Sequence, residues 1–258
     1  MTRTVLITGA AGRIGSVLLD GLANRYDLTA LDAERVPGMR ARRAKMTRLR
    51  SIQKAFNDAE VVIDLAARSL LDTPWRAVYR ENMLATYNAL EASRRAGVRR
   101  MIFASSNNVM GWYEREEPYA SIVAGRYDGL DPATIPLLTT ELPVRPNSYY
   151  AIGKVFGEGA CRFYSDRHGL SVICLRIGTV NRQNRPTNSR HFATLLTHRD
   201  LLHLVEQCIQ APQDLRFATF YGVSDNTWRF WDIADSRDAI GYQPQDDAES
   251  WRSQNGHQ

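Results

Sequence analysis

Apolar residues along the first hundred positions alternate between the spacing of strands and the spacing of helices. A β-branched run starts at Val5 and breaks into small residues, and apolar positions then recur at helical intervals from Ile14 to Leu22. The same alternation predicts strands over 28–32, 59–67 and 100–105, and helices over 49–57 and 75–96. Repeated strand–helix–strand units predict an α/β protein, a Rossmann-like doubly wound parallel sheet whose ligands lie at the carboxyl ends of its strands.

Composition gives more information about the cellular location and the binding partners than about the fold. No apolar run reaches the roughly 18 residues of a membrane span, and the chain starts on a predicted strand instead of a signal peptide. The three cysteines, Cys161, Cys174 and Cys208, are far apart and fit buried side chains in a reducing compartment. We therefore expect a cytoplasmic protein with no membrane partner.

The net charge of +5 comes with 33 Lys and Arg residues, which are mostly dispersed along the chain. One local cluster without acids follows the second predicted strand: Arg35, Arg40, Arg42, Arg43, Lys45, Arg48 and Arg50. Charge runs of this kind are usually solvated, so we predict an exposed loop and helix face here. We expect no nucleic-acid partner.

Three glycines follow the first strand at the spacing Gly9-x-x-Gly12-x-x-Gly15. In a strand–turn–helix unit the first glycine allows a tight turn, the second lets backbone amides approach a pyrophosphate, and the third lets the helix pack closely on the sheet. Asp32 ends the second strand, where an acid accepts hydrogen bonds from the adenosine ribose and repels a 2′-phosphate. The pattern predicts a dinucleotide site that favours NAD, and the arginines downstream keep NADP open as the less favoured cofactor.

Tyr150 and Lys154 are four residues apart at the start of a predicted helix. Residues at this spacing share one helix face, so the phenol and the ammonium can act on one ligand. A neighbouring ammonium favours the phenolate, so we expect the pKa of Tyr150 to fall below its usual value of about 10. The alternative interpretation is an exposed aromatic–basic pair on a helix surface.

Six features are similar, in the same order, to those of the extended short-chain dehydrogenase/reductase superfamily, whose members include NAD-dependent epimerases and dehydratases: the glycine turn, Asp32, the segment 64–67, Asn82, the segment 103–111 and the Tyr150/Lys154 pair. The resemblance implies that Ser106 orients the substrate, Tyr150 is the acid/base and Lys154 holds the nicotinamide ribose. It also implies further cofactor-binding residues: Ala11, Arg13, Ile14, Leu65, Ala66, Ala67, Asn82 and Ile177.

The second half of the chain resembles the uronate dehydrogenase family, through segments 105–108, 175–179, 188–200 and 221–232. These enzymes oxidise the anomeric carbon of glucuronate or galacturonate to an aldarolactone with NAD. The resemblance implies a sugar site lined by Ser69, Ser106, Asn107, Asn108, Tyr150, Thr179 and Arg190. A guanidinium binds a planar carboxylate through two hydrogen bonds, so Arg190 would pair with the C6 carboxylate.

Some residues depart from that family's pattern. Asn108 replaces the usual His, Thr179 replaces the usual Ser, and Lys45 stands near the position of an Asp that helps to hold adenine. The loop between Tyr113 and Ser148, which contains acids such as Glu114, is longer than expected. Loops at this edge of the sheet select substrates, so the alternatives stay open: another sugar or sugar-phosphate dehydrogenase, a nucleotide-sugar epimerase or dehydratase, or a non-catalytic dinucleotide sensor.

We expect a dinucleotide-binding domain over 1–177 and a smaller substrate-binding portion over 178–258, packed as one unit. By analogy with the superfamily, the helices 75–96 and 150–166 would pair in a homo-oligomer. The five histidines show no spacing that requires a metal, and we expect none: His168, His191, His198, His203 and His257.

Overall fold

The computed structural model describes residues 3–39 and 41–252. Within these residues seven parallel strands form one sheet, in the order β3-β2-β1-β4-β5-β6-β7. In chain order the strands are β1 Thr4–Thr8, β2 Asp27–Asp32, β3 Ala41–Arg43, β4 Val61–Asp64, β5 Arg100–Ser106, β6 Ser171–Ile177 and β7 Phe217–Gly222. Strand order reverses between β1 and β4, the point at which doubly wound sheets bind ligands. The predicted fold class is confirmed.

Alternate strand residues pack against two helical layers. The α-helices are α1 Arg13–Leu22, α2 Leu49–Phe56, α3 Trp75–Ala77, α4 Leu84–Ala96, α5 Tyr119–Val123, α6 Tyr149–His168, α7 His191–Thr194, α8 His198–Gln210 and α9 Ala234–Ile240. Val5 and Ile7 belong to the core on the side of α1 and α8. Leu6 and Leu31 belong to the core on the side of α2, α4 and α6. Burial on both faces explains the nearly continuous apolar runs of the central strands.

Two predicted elements of the sheet, one at its centre and one at its edge, differ in the structure. The strand expected over 59–67 shortens to β4, because its pairing with β1 ends where Thr8 meets Asp64. The basic cluster, predicted as loop and helix face, contains the short edge strand β3, in which Arg42 and Arg43 are exposed. Two residues of the sequence-based hypotheses, Arg40 and His257, lie outside the described residues.

The helix predicted over 75–96 has a π-helical segment, Val78–Met83, between α3 and α4. Asn82 lies on this segment and is buried. Its side chain accepts a hydrogen bond from the Arg68 N–H at 2.8 Å and donates one to the Arg68 carbonyl at 3.0 Å. These hydrogen bonds therefore connect the π-helical segment to the chain that follows β4. Turns of this kind are frequent at functional sites.

The long stretch between Tyr113 and Ser148 is packed against the C-terminal part of the chain. The Tyr119 ring lies 5.0 Å from the Phe230 ring, and the Leu138 backbone donates a hydrogen bond to the Phe230 carbonyl at 2.7 Å. These contacts belong to a third apolar cluster, separate from the two that line the sheet. Residues beyond 177 form the sheet strand β7, the helix α8 that packs against the sheet, and part of this third cluster. The domain boundary after 177 stays a prediction.

Candidate active site

The glycine turn between β1 and α1 has the three properties that its spacing predicts. Gly9 has φ +65°, and a Cβ there would lie 2.8 Å from the Ala66 nitrogen. A Cβ on Gly15 would lie 2.6 Å from the Ala10 carbonyl oxygen, so only glycine lets α1 approach the turn this closely. A Cβ on Gly12 would meet one atom, the Gly9 carbonyl oxygen at 3.1 Å, and would otherwise fill open space. The turn leaves room for a ligand at Gly12.

Helix α1 begins at this space without a side-chain cap, since Gly12 is its N-cap residue. An uncapped helix start presents backbone N–H groups and a partial positive charge, which suit a phosphate. The neighbouring residues are Ala11 and Arg13, both exposed, and Ile14, which is partly buried. The Arg13 guanidinium donates to the Val180 carbonyl at 2.9 Å and so links the turn to the segment after β6. The cradle and the helix start fit a pyrophosphate.

The Asp32 carboxylate lies beside the glycine turn at the end of β2. One oxygen accepts a hydrogen bond from the Ala11 N–H at 2.9 Å and the other accepts one from the Glu34 N–H at 2.8 Å. Each carboxylate oxygen can accept more than one hydrogen bond, so ribose hydroxyls can still bind. This negative charge fits the adenosine ribose of NAD better than the phosphate of NADP.

The segment after β4 forms the next part of the same edge. Leu65 donates its N–H to the Thr8 carbonyl at 3.2 Å, and Ala66 touches Gly9. Ala67 is half-buried, and Ser69 is exposed just beyond the Arg68 backbone that Asn82 holds. Asn82 therefore acts on this segment by fixing its backbone, because both ends of its amide are used in that contact.

Ser106 ends β5 directly beside Ile177, the last residue of β6. Its hydroxyl oxygen accepts hydrogen bonds from the backbone and side-chain N–H groups of Asn108, at 3.2 and 3.1 Å. Asn147 in turn donates to the Asn108 side-chain oxygen at 3.0 Å. Asn108, predicted to bind substrate, thus holds Ser106 in place, and the hydroxyl proton of Ser106 stays available to another group.

Asn107 is buried, and its side-chain nitrogen has no hydrogen-bond partner within the described part of the chain. Burying an unpaired amide costs about 1–3 kcal/mol. A buried polar group of this kind usually has a partner, so the position fits a ligand oxygen.

Tyr150 and Lys154 lie on the first turns of α6, whose N-cap Ser148 accepts a hydrogen bond from the Ala151 N–H. Both side chains are buried, so the exposed-pair alternative is wrong. The Lys154 nitrogen lies 5.8 Å from the centre of the Tyr150 ring and donates to the Ala104 carbonyl at 2.5 Å. The ammonium is therefore held between the tyrosine and the end of β5.

Burial moves the pKa values of both groups. It raises the pKa of Tyr150 and outweighs a hydrogen bond with Ser106, which lowers it. It also lowers the pKa of Lys154 to about 8, opposed by the charge of Asp64, whose own pKa burial raises to about 6. The expected fall in the Tyr150 pKa is therefore not found, because desolvation outweighs the hydrogen bond with Ser106.

Arg190 and Thr179, predicted to contact the sugar, lie together beyond β6. The Arg190 Nη1 atom is 3.4 Å from the Thr179 hydroxyl, which also shares a hydrogen bond of 2.9 Å with Thr194. The other two nitrogens of the guanidinium, Nε and Nη2, each donate to one oxygen of Glu114 at 2.6 Å. The face of Arg190 that would bind a carboxylate thus holds a carboxylate of the chain itself.

Two ionic contacts in and near the site were not predicted from the sequence. Arg176 and Glu158 form a buried ion pair through two hydrogen bonds of 3.0 and 2.9 Å, and Glu158 also accepts from Ser105 at 2.6 Å. The Glu114–Arg190 pair spans 76 residues of sequence. No local pattern marks these partners, because each contact joins segments that only the folded sheet brings together.

In the described ranges no three potential metal ligands cluster. His191, beside Arg190, contacts Thr187 and Asn188, and burial followed by the Arg190 charge lowers its pKa. His198 contacts the Asn181 carbonyl and His203 accepts from the Gln243 N–H. None of the helices within 3–39 and 41–252 has the length and apolarity to cross a membrane.

Three known proteins are similar to the chain over nearly its whole length. NAD-dependent glucose-6-phosphate dehydrogenase of Haloferax volcanii is 33% identical and covers 96% of this chain and 95% of its own. L-arabinose 1-dehydrogenase (NAD(P)(+)) of the same organism is 30% identical, with coverages of 95% and 97%. A mutant uronate dehydrogenase of Agrobacterium tumefaciens, solved with NAD, superposes with a TM-score of 0.84 at 26% identity and covers 98% of this chain and 89% of its own.

A family model, the NAD dependent epimerase/dehydratase family, matches residues 5–210. Together with the glycine turn and the buried Tyr150/Lys154 pair, this match confirms NAD as the cofactor and an NAD-dependent oxidoreductase as the class of enzyme. The resemblance to uronate dehydrogenases is confirmed as well. The chain belongs to the NAD dependent epimerase/dehydratase family.

Proposed function

We propose that the chain oxidises the anomeric carbon of a free sugar to the lactone with NAD. The observation that carries the proposal is the buried group of Tyr150, Ser106 and Lys154 at the carboxyl ends of β4 to β6, beside a glycine turn that fits a dinucleotide. Similarity to three sugar dehydrogenases supports this reaction over epimerisation or dehydration.

The residues divide the reaction between them. Bound NAD supplies the acceptor for the hydride that leaves C1. Tyr150, as phenolate, accepts the proton of the C1 hydroxyl, and Ser106, held by Asn108, donates its own proton toward that oxygen. The Asn107 amide donates to a further sugar oxygen. General base catalysis of this kind contributes about 10²–10⁴-fold to the rate.

Lys154 lowers the cost of forming the phenolate in a buried site. Its ammonium lies near the Tyr150 ring, and the oxidised nicotinamide adds positive charge when NAD is bound. Since burial lowers the pKa of Lys154 only to about 8, the ammonium keeps its charge at neutral pH. We propose Gly9, Gly12, Gly15 and Asp32 as the residues that position the cofactor for this step.

Three substrate classes compete for the sugar site. One of them, a sugar phosphate, is supported by similarity to a glucose-6-phosphate dehydrogenase. A hexuronate, glucuronate or galacturonate, is supported by Arg190 beside Thr179 and by similarity to uronate dehydrogenases. An uncharged aldose is supported by the Glu114 carboxylate, which already holds two nitrogens of Arg190. Similarity to an arabinose dehydrogenase also supports the aldose.

The experiment is a panel of sugars with NAD and NADP separately, read as NADH or NADPH absorbance. It includes glucuronate, galacturonate, glucose, arabinose and glucose 6-phosphate, with the product examined for the lactone. Reduction of NAD by at least one sugar, with lactone formed, is the expected result. No reduction with any sugar, or conversion of a nucleotide sugar without net NADH, contradicts the proposal.

We also propose a homo-oligomer formed through the helices 75–96 and 150–166. Large apolar side chains stand exposed on or next to these helices: Trp75, Tyr79, Tyr87, Tyr149, Ile152, Phe156 and Phe163. Exposed apolar patches of this kind mark interaction surfaces. Light scattering on the purified chain measures the mass directly, and a monomer at micromolar concentration contradicts the proposal.

A further inference from the structure

We infer that Glu114 is a specificity-determining residue that excludes an anionic group from the Arg190 end of the sugar site and selects an uncharged sugar. The inference rests on the proposed function, since it assigns the substrate class of that same site. It starts from one contact, the two hydrogen bonds between the Glu114 carboxylate and the Arg190 guanidinium.

The pair lies at the sheet edge where Ser106 ends β5. Glu114 belongs to the 3₁₀ helix Asn107–Arg115, whose N-cap is Ser106, and Arg190 is the N-cap of α7. Ser106 and Ile177 are neighbours in the sheet, so the segments that carry Glu114 and Thr179 leave adjacent strands at the same edge. The same 3₁₀ helix contains Asn107, whose buried side-chain nitrogen has no partner in the described residues. The pair and the catalytic Ser106 therefore share one edge of the sheet, and Glu114 shares its helix with Asn107.

Glu114 uses the part of Arg190 that recognises carboxylates. A guanidinium binds a carboxylate best through two parallel N–H donors, here Nε and Nη2. Both donate to Glu114 at 2.6 Å, and Nη1 faces the hydroxyls of Thr179 and Thr194. A hexuronate would have to displace a side chain that is 11% exposed, from a guanidinium that is 30% exposed.

The charges of the pair cancel, so the pair offers no net attraction to an anion. A substrate carboxylate or phosphate would lie beside the Glu114 charge, where like charges repel strongly because the surroundings are only partly hydrated. A hydroxyl has no such penalty, because it donates to a carboxylate oxygen or accepts from a guanidinium N–H. The pair thus suits the hydroxyl groups of a neutral aldose.

The test compares wild type, Glu114→Gln and the matched control Glu116→Gln. Glu116 lies at the end of the same 3₁₀ helix, is exposed, and pairs with Arg145 instead of Arg190. Glutamine keeps the shape of the Glu114 side chain but loses its charge, so it frees Arg190 for a substrate carboxylate. Thermal unfolding of each variant shows whether it is folded.

We expect wild type to have a higher kcat/KM for glucose or arabinose than for glucuronate. Glu114→Gln should raise the ratio of glucuronate to aldose kcat/KM by at least about tenfold, the effect of one charge-assisted hydrogen bond. Glu116→Gln should leave this ratio unchanged. A wild-type preference for glucuronate, or an equal loss for all sugars in Glu114→Gln, would overturn the inference and leave a purely structural ion pair.

Binding separates this inference from the proposed reaction. Calorimetry with NADH bound measures glucose and glucuronate affinity in two proteins, the Tyr150→Phe variant and the double variant that also carries Glu114→Gln. If the double variant binds glucuronate more tightly than Tyr150→Phe does, the inference is supported, even when no sugar reduces NAD. Absence of NAD reduction would contradict only the proposed function. Equal glucuronate affinity in the two proteins would overturn the inference while leaving sugar oxidation intact.

Discussion

The cofactor side and the substrate side of this molecule are built in different ways. The cofactor side is formed by the turn between β1 and α1 and by Asp32, and its contacts are mostly between backbone groups. The substrate side is formed by segments after β5 and β6, and side chains far apart in sequence make its contacts, as in Glu114–Arg190. Backbone geometry suits a constant ligand such as NAD, whereas side-chain pairs can change the substrate with one substitution.

Removing the Tyr150 hydroxyl should separate catalysis from binding more sharply than any other change. Tyr150→Phe should lower kcat by about 10²–10⁴-fold, because it removes the general base while keeping the buried ring. NADH binding, measured by fluorescence, should be unchanged. The matched control is Tyr149→Phe, on the exposed neighbouring residue, which should keep wild-type kcat. Substantial turnover in Tyr150→Phe would remove that residue from the catalytic role.

Two alanine substitutions should distinguish ligand space from packing on the cofactor side. Gly12→Ala should keep the unfolding temperature and weaken NAD binding, because its Cβ enters the space beside the helix start. Gly15→Ala should cost about 1–3 kcal/mol of unfolding free energy, since its Cβ would meet the Ala10 backbone at 2.6 Å. Calorimetry and thermal unfolding give both quantities, and equal unfolding temperatures would contradict this division.

A substitution at Asp32 tests whether a side chain on the cofactor side sets the choice of dinucleotide. Asp32→Asn should raise the Kd of NAD about tenfold through loss of a charge-assisted hydrogen bond, and should affect NADP less. Asp27→Asn, at the exposed start of β2, is the control and should change neither value. An equal loss of both cofactors would exclude discrimination by the Asp32 charge.

An effect on stability alone concerns the lysine between the two sides. The pKa of Lys154 is about 8 in the fold, whereas an unfolded chain holds that proton to about pH 10.4. The unfolded state therefore binds more protons in this window, and stability rises with pH by up to roughly 1.4 kcal/mol per unit. Relative to Lys154→Met, wild type should gain stability between about pH 8 and 10, measured by urea unfolding. Parallel pH curves would contradict it.

Prediction from sequence succeeded where the spacing of residues along a helix or strand determines the structure. The helix carrying Tyr150 and Lys154 begins one residue before Tyr150, and both side chains are buried together as their spacing requires. It failed where several contacts compete, since the Tyr150 pKa rises through burial even though Lys154 is near. The π-helical turn was also missed. It involves a contact of Asn82 with Arg68, which lies outside the helix and leaves no sign in the helical spacing.

The fold class, the glycine turn and the acid at the end of β2 follow from short stretches of the chain, because strand and helix periods and glycine conformations act over a few residues. The partners of the functional side chains emerge only when the sheet is assembled. Assembly places Asn147 on Asn108, which holds Ser106, and it places Glu114 on Arg190 across 76 residues. Such pairs depend on how adjacent strands align their carboxyl ends, and no short stretch of the chain records that alignment.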